Sequence, residues 1–90
     1  MELDLGIRRG LTYELESRGH RVGRWRGIPC HRKAFCQRCS RYVELYLIAP
    51  NSTLTTGAKR IAHPVNPNLV FEAFGTLLDA PRCGPPFRSR

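Results

Sequence analysis

Acidic residues are scarce in this sequence. There are seven carboxylates in ninety residues, and none between Arg18 and Arg41. So few, scattered as they are, build no paired-carboxylate arrangement for acid–base work, and Glu14, Glu16, Glu44, Glu72 and Asp79 read as ordinary surface positions. No Ser-His-Asp pattern can be argued either, so no enzymatic activity is expected. Long apolar runs are also missing. The longest is Leu45–Pro50, far too short to span a membrane, and no membrane partner is expected. The first ten residues carry Glu2 and Asp4 without an apolar stretch, so no secretory leader is read there and a reducing, cytoplasmic setting is expected. Apolar residues make up 41% of the chain, below the usual 45–50% or so. A chain of this length buries only about 60–70% of its unfolded surface, so its core is thin and a covalent or metal staple is expected. No internal repeat is present.

Positive charge is plentiful. Lys and Arg total 15, giving a formal charge of +8. Eight of these bases fall in the acid-free stretch: Arg18, Arg21, Arg24, Arg26, Arg32, Lys33, Arg38 and Arg41. Trp25 and Phe35 lie among them. Such a field attracts polyanions, and the guanidinium fork suits phosphate. Arg21, Arg24, Arg26, Arg32 and Lys33 are the candidate nucleic-acid contacts. The bland alternative is a basic surface that is merely solvated, or that meets an acidic protein. Charge alone reads no base sequence, and the chain contains no RNP1-type run, two-Cys two-His spacing or phosphate-binding loop.

Four cysteines stand at 30, 36, 39 and 83. In a reducing setting, metal or redox chemistry is a better reading than two disulfides. Cys36-Gln37-Arg38-Cys39 is a C-x-x-C, whose two thiolates can face one tetrahedral ion from a single turn. A thioredoxin-like pair needs a helix starting at the motif; here a strand follows, which makes thiol redox chemistry with Cys36 as nucleophile the weaker alternative.

Local patterns place the elements. Ile7, Leu11 and Leu15 recur every four residues, and Gly19 follows Arg18 as a stop, so a helix is predicted over 5–18 with Asp4 as its N-cap. Tyr42–Ile48 is the clearest strand, with Val43, Leu45 and Leu47 on one face and Tyr42, Glu44 and Tyr46 on the other. His20–Arg26 and Arg32–Cys36 read as a hairpin, with Gly23 marking a bulge that brings Val22 and Trp25 to one side. Lys59–Ala62 reads as a further short strand, Leu69–Phe74 as a strand or the start of a compact turn, and Thr76–Asp79 as a single helical turn. Trp25, Val43, Leu45, Leu47, Phe71 and Phe74 are the expected core, while His31 and His63 are expected to face solvent.

The hairpin selects metal ligands. If facing positions sum to about 58, Val22 faces Cys36 and His20 lies beside the Cys36/Cys39 turn. Cys30 then sits at the far tip, roughly 20 Å away at about 3.3 Å per residue, against ligand distances of about 2.0–2.3 Å. Cys83 is the remaining thiol. The set His20, Cys36, Cys39 and Cys83 is a closed, structural type of zinc site, and an all-cysteine site that uses Cys30 is its alternative.

Gly19-His20, Gly23-x-Trp25, Cys36-x-x-Cys39, a strand, Gly75-x-Leu77-Leu78 and a closing Cys83 together resemble small bacterial zinc-ribbon-like proteins over about residues 11–83. The resemblance implies one metal site, a small sheet with an N-terminal helix, and no known catalytic activity. Ser40 departs from it, standing where zinc knuckles usually place glycine. The expected fold is α+β, a zinc-ribbon-like antiparallel sheet of three to four short strands with an N-terminal helix, spanning 1–83 and followed by a disordered basic tail over 84–90. The expected role is a non-enzymatic, Zn2+-stabilised domain touching nucleic acid through its basic hairpin, with a protein-interaction adaptor as the alternative.

Overall fold

A computed structural model describes residues 3–80 and 82–84; the basic tail expected over 84–90 therefore lies, from residue 85 onward, outside the described residues. Helix α1 (Leu5–Glu16) is followed by strands β1 (Arg26–Ile28), β2 (His31–Phe35), β3 (Tyr42–Ile48), β4 (Lys59–Ala62) and β5 (Val70–Phe74), and by the single turn of α2 (Thr76–Asp79). All neighbours pair antiparallel, in the order β1-β2-β3-β5-β4. The fold is α+β as expected, but the sheet has five strands, because β5 inserts between β3 and β4 and makes both part of one sheet.

Residues opposite one another in an antiparallel pair share a face. One face carries Ala34, Val43, Leu45, Leu47, Phe71, Ala73 and Ile61, and α1 lays Ile7, Leu11 and Leu15 against it. Two apolar clusters result. One joins Ile7 and Leu11 to Leu45, Phe71 and Ala73. The other joins Leu15 to Ala34, Cys36, Cys39, Val43 and Leu77. Trp25 packs against both, and its indole N–H donates to Thr12 Oγ1 at 3.0 Å, so it faces the helix and not open solvent.

The hairpin follows the predicted register only in part. Val22 does face Cys36. Between that bridge and the Arg26–Lys33 pair, three residues on one side oppose two on the other. The extra residue is the bulge expected at Gly23, and it brings Val22 and Trp25 to the same cluster.

Phe74 departs from the expected core. It pairs with Glu44, on the face opposite α1. Glu72, on that same face, is buried because Thr55 reaches over it. Both the amide and the hydroxyl of Thr55 donate to its carboxylate, at 2.8 and 2.9 Å. The long segment between β3 and β4 thus covers one end of the outer face, which explains why β5 is buried on both sides and lacks a clean alternation. Among the described residues no helix is long and apolar enough to cross a membrane.

Candidate metal centre

The first donor is placed by the end of α1. Gly19 has a left-handed φ of 91°, its N–H donates to Glu16 O at 3.0 Å, and the His20 N–H donates to Leu15 O at 3.3 Å. This is the Schellman pattern, in which a glycine without a β-carbon reverses the chain. The reversal sends His20 inward, where it is almost fully buried.

The C-x-x-C forms a tight turn around its first sulfur. Cys36 Sγ accepts N–H donors from Arg21 (3.4 Å), Arg38 (3.3 Å) and Cys39 (3.4 Å). The turn closes with Ser40 N–H on Cys36 O and Cys36 N–H on Arg41 O, both at 2.9 Å. Ser40 pays the conformational cost, at φ 64°, and it is the one non-glycine residue with positive φ among those described. The left-handed region costs an L-residue about 1–2 kcal/mol, and glycine gives back about 0.4–1 kcal/mol through its freer unfolded chain. Ser40→Gly is therefore expected to stabilise the fold by about 0.5–1 kcal/mol, read as a higher urea midpoint with an unchanged slope.

Cys83 returns from the far end of the chain. β5 is followed by Gly75, whose φ is 134° and where any β-carbon would collide with the Tyr42 carbonyl. That close approach lets α2 fold back and bury Leu77 in the cluster that holds Leu15, Cys36 and Cys39. The Cys83 N–H then donates to Arg18 O at 3.2 Å, tying the last segment to the end of α1.

The four side chains meet. One ligand-type atom from each of His20, Cys36, Cys39 and Cys83 lies within 4.8 Å of the others. Cys36 Sγ is 3.7 Å from Cys83 Sγ, and His20 Nδ1 is 3.6 Å from Cys39 Sγ. His20 Nε2 is buried without a hydrogen-bond partner among the described residues. Burial pushes the Cys36 thiol up, but the backbone N–H donors of Arg21, Cys39 and Arg38, with His20, more than offset it and hold the group at about 6. Cys83 is driven the other way, to about 11, by burial and then by the neighbouring sulfurs of Cys36 and Cys39. A first negative sulfur thus sits in a ready cradle, and further negative charge beside it calls for a cation. Cys30 is exposed in the β1–β2 turn and does not belong to the cluster.

The basic residues separate into two groups. Arg21, Arg24, Arg26 and Lys33 are exposed along the hairpin. Arg32 is not: it is buried, contrary to its expected place among the exposed phosphate contacts. It points to the helix side of the sheet, its Nε donates to Asp4 Oδ2 at 2.9 Å, and an amino nitrogen donates to Gly27 O at 3.1 Å. Asp4 does stand at the N-cap position, yet its side chain makes no capping bond. Its carboxylate is fully buried and serves Arg32 and Arg8 instead. An acid-free run says nothing about which base turns inward toward an acid 28 positions away. His31 is exposed as expected but belongs to β2, where it stacks on Tyr46. His63 is half-buried, and its Nδ1 accepts the N–H groups of Val65 and Asn66.

Comparisons with protein-family models, curated proteins and solved structures return no match.

Proposed function

We propose that the chain is a non-enzymatic module stabilised by one zinc ion on His20, Cys36, Cys39 and Cys83, and that its basic hairpin contacts nucleic acid through phosphates. The convergence of one imidazole and three thiols in the core carries this reading. In a zinc tetrahedron with sulfur at about 2.3 Å and nitrogen at about 2.0–2.1 Å, sulfur–sulfur edges are about 3.8 Å and sulfur–nitrogen edges about 3.5 Å. The separations of 3.7 and 3.6 Å in the cluster fit those edges. Nδ1 is the nitrogen turned toward the sulfurs, which leaves the imidazole proton on Nε2. Deep burial of Cys36 and Cys39 favours a structural role over thiol exchange, since a substrate disulfide needs an accessible sulfur.

Three thiolates and a divalent ion lower the formal charge of +8 by only one, so the basic surface survives metal loading. Arg21, Arg24, Arg26 and Lys33 are the phosphate contacts in this reading. Metal analysis of the purified chain is expected to give one zinc per chain, lost in Cys83→Ser and kept in Cys30→Ser. The opposite pattern sinks the ligand set. For the surface, four bases give a slope of log K against log salt no steeper than about −4 on duplex DNA. No binding of any nucleic acid at about 50 mM salt leaves the adaptor reading in its place.

A further inference from the structure

The face of the sheet turned away from α1 is unusually rich in rings. The registers place its residues in cross-strand rows. Phe35 stands opposite Tyr42; Arg26, Lys33, Glu44 and Phe74 form the next row; Ile28, His31, Tyr46, Glu72 and Arg60 form the one after. His31, Tyr46 and Phe74 stack on one another, with ring centroids 3.9 and 5.5 Å apart and interplanar angles of 18° and 14°. That ladder is a stiff wall. Beside it Phe35 is 48% exposed and Tyr42 half-buried, and the Lys33 ammonium lies 5.3 and 5.0 Å from their ring centroids.

We infer that this open face is a stacking platform for single-stranded nucleic acid, with Phe35 and Tyr42 taking bases and Lys33 and Arg26 taking the adjoining phosphates. The inference rests on the nucleic-acid part of the proposed function and moves the contact from the hairpin edge onto the sheet. Charge complementarity selects the occupant. The two carboxylates on the face are already engaged: Glu44 with His31, Lys33 and the Tyr46 hydroxyl, Glu72 with Thr55. The exposed bases Arg24 and Arg26 continue along the same edge, and no carboxylate pairs with either among the described residues. An exposed cation over a ring is a weak contact, so a base displaces the Lys33 ammonium from the rings, and a phosphate then competes for it with Glu44, 4.0 Å away. A duplex keeps its base faces stacked inside and offers this surface phosphates alone. An acidic peptide has the charge but lacks the flat π-faces that Phe35 and Tyr42 would cover.

The test is fluorescence anisotropy with the zinc-loaded full chain, a labelled twelve-nucleotide oligothymidylate and a duplex of equal length, at about 50 mM salt. The single strand is expected to bind more tightly. Phe35→Ala and Tyr42→Ala are each expected to weaken it about tenfold and to leave duplex binding unchanged. Phe35→Leu keeps the apolar bulk without the ring and is expected to match Phe35→Ala, with metal content and melting as folding controls. Arg24→Ala is expected to weaken both ligands alike. Equal affinity for strand and duplex, with no effect of the Phe35 variants, overturns the platform but keeps phosphate contact by the hairpin. Absence of binding to either ligand overturns both, and so does polyglutamate competing as well as the oligonucleotide, which assigns the surface to an acidic protein.

Discussion

Chelation of the metal is expected to unfold the whole domain, not merely to loosen the segment around Cys83. The cluster that closes one half of the core contains Cys36 and Cys39 beside Leu15, Ala34, Val43 and Leu77, so the ligands are core residues. Removing the ion leaves an imidazole and three sulfurs crowded together there, and the backbone N–H donors of the turn serve Cys36. Zinc binding in small domains contributes about 10–16 kcal/mol, at or above the 5–15 kcal/mol by which a typical domain is stable at all. Helix α1 depends on the same cluster through Leu15, and Cys83 is held by a bond from its own amide to Arg18 O, two residues past the end of that helix. Circular dichroism is expected to show loss of the folded spectrum with excess strong chelator and its return on adding zinc. Cys39→Ser is expected to behave like the chelated protein. A melt that strong chelator leaves unmoved refutes the metal's structural role.

Proton concentration acts on the same centre. In the metal-free fold, Cys36 is held at about 6, below the ordinary thiol value of roughly 8.5. Its contribution is complete above that ordinary value and is lost as pH falls through about 6. Cys83 has the opposite sign. Pushed up to about 11, it favours the fold below the ordinary thiol value and ceases to do so as pH rises through about 11. Residual metal-free structure is therefore greatest near the ordinary thiol value. Metal uptake must also displace the Cys83 proton, so zinc affinity rises with pH across the neutral range.

How much of this could be read from the residues depends on how local the signal is. Tyr42–Ile48 forms β3 between the predicted limits because one face alternates Val43, Leu45 and Leu47 against the helix. The convergence of His20 with Cys36 and Cys39 follows from a hairpin register that holds at Val22 and Cys36, next to the site, where it matters. Beyond Gly23 the register shifts by one: the glycine marks the bulge, but a pairing sum carried straight through it keeps the old register. The segment Leu69–Phe74 reads as a strand or the start of a compact turn, and its place as β5 between β3 and β4 is not legible, for another reason. One face of Val70–Phe74 packs toward α1 and the other is covered by a loop, Thr55 over Glu72, that is remote in sequence. The outer ring ladder needed both registers at once, which is why Phe74 reads as core until β5 is set beside β3.

The least legible feature is also where a single substitution is expected to cost most outside the metal site. Asp4 and Arg32 are both buried, and the Asp4 carboxylate joins the start of α1 to the middle of β2. Arg8, one turn into the helix, binds the same oxygen at 2.9 Å. Asp4→Ala removes a buried countercharge of the Arg32 guanidinium beneath the helix, and breaking a buried pair costs about 3–5 kcal/mol. Replacing both partners by apolar residues of similar volume avoids that penalty, because desolvating two charges largely offsets their attraction. Urea melts of the zinc-loaded protein are therefore expected to show a large loss for Asp4→Ala, a similar loss for Arg32→Met alone, and a much smaller one for Asp4→Leu combined with Arg32→Met. Nucleic-acid affinity of the folded Arg32→Met protein is expected to stay unchanged, in contrast to Arg24→Ala, because Arg32 faces the helix. Additive losses in the double variant refute the coupling, and a weakened salt slope in folded Arg32→Met returns Arg32 to the phosphate contacts.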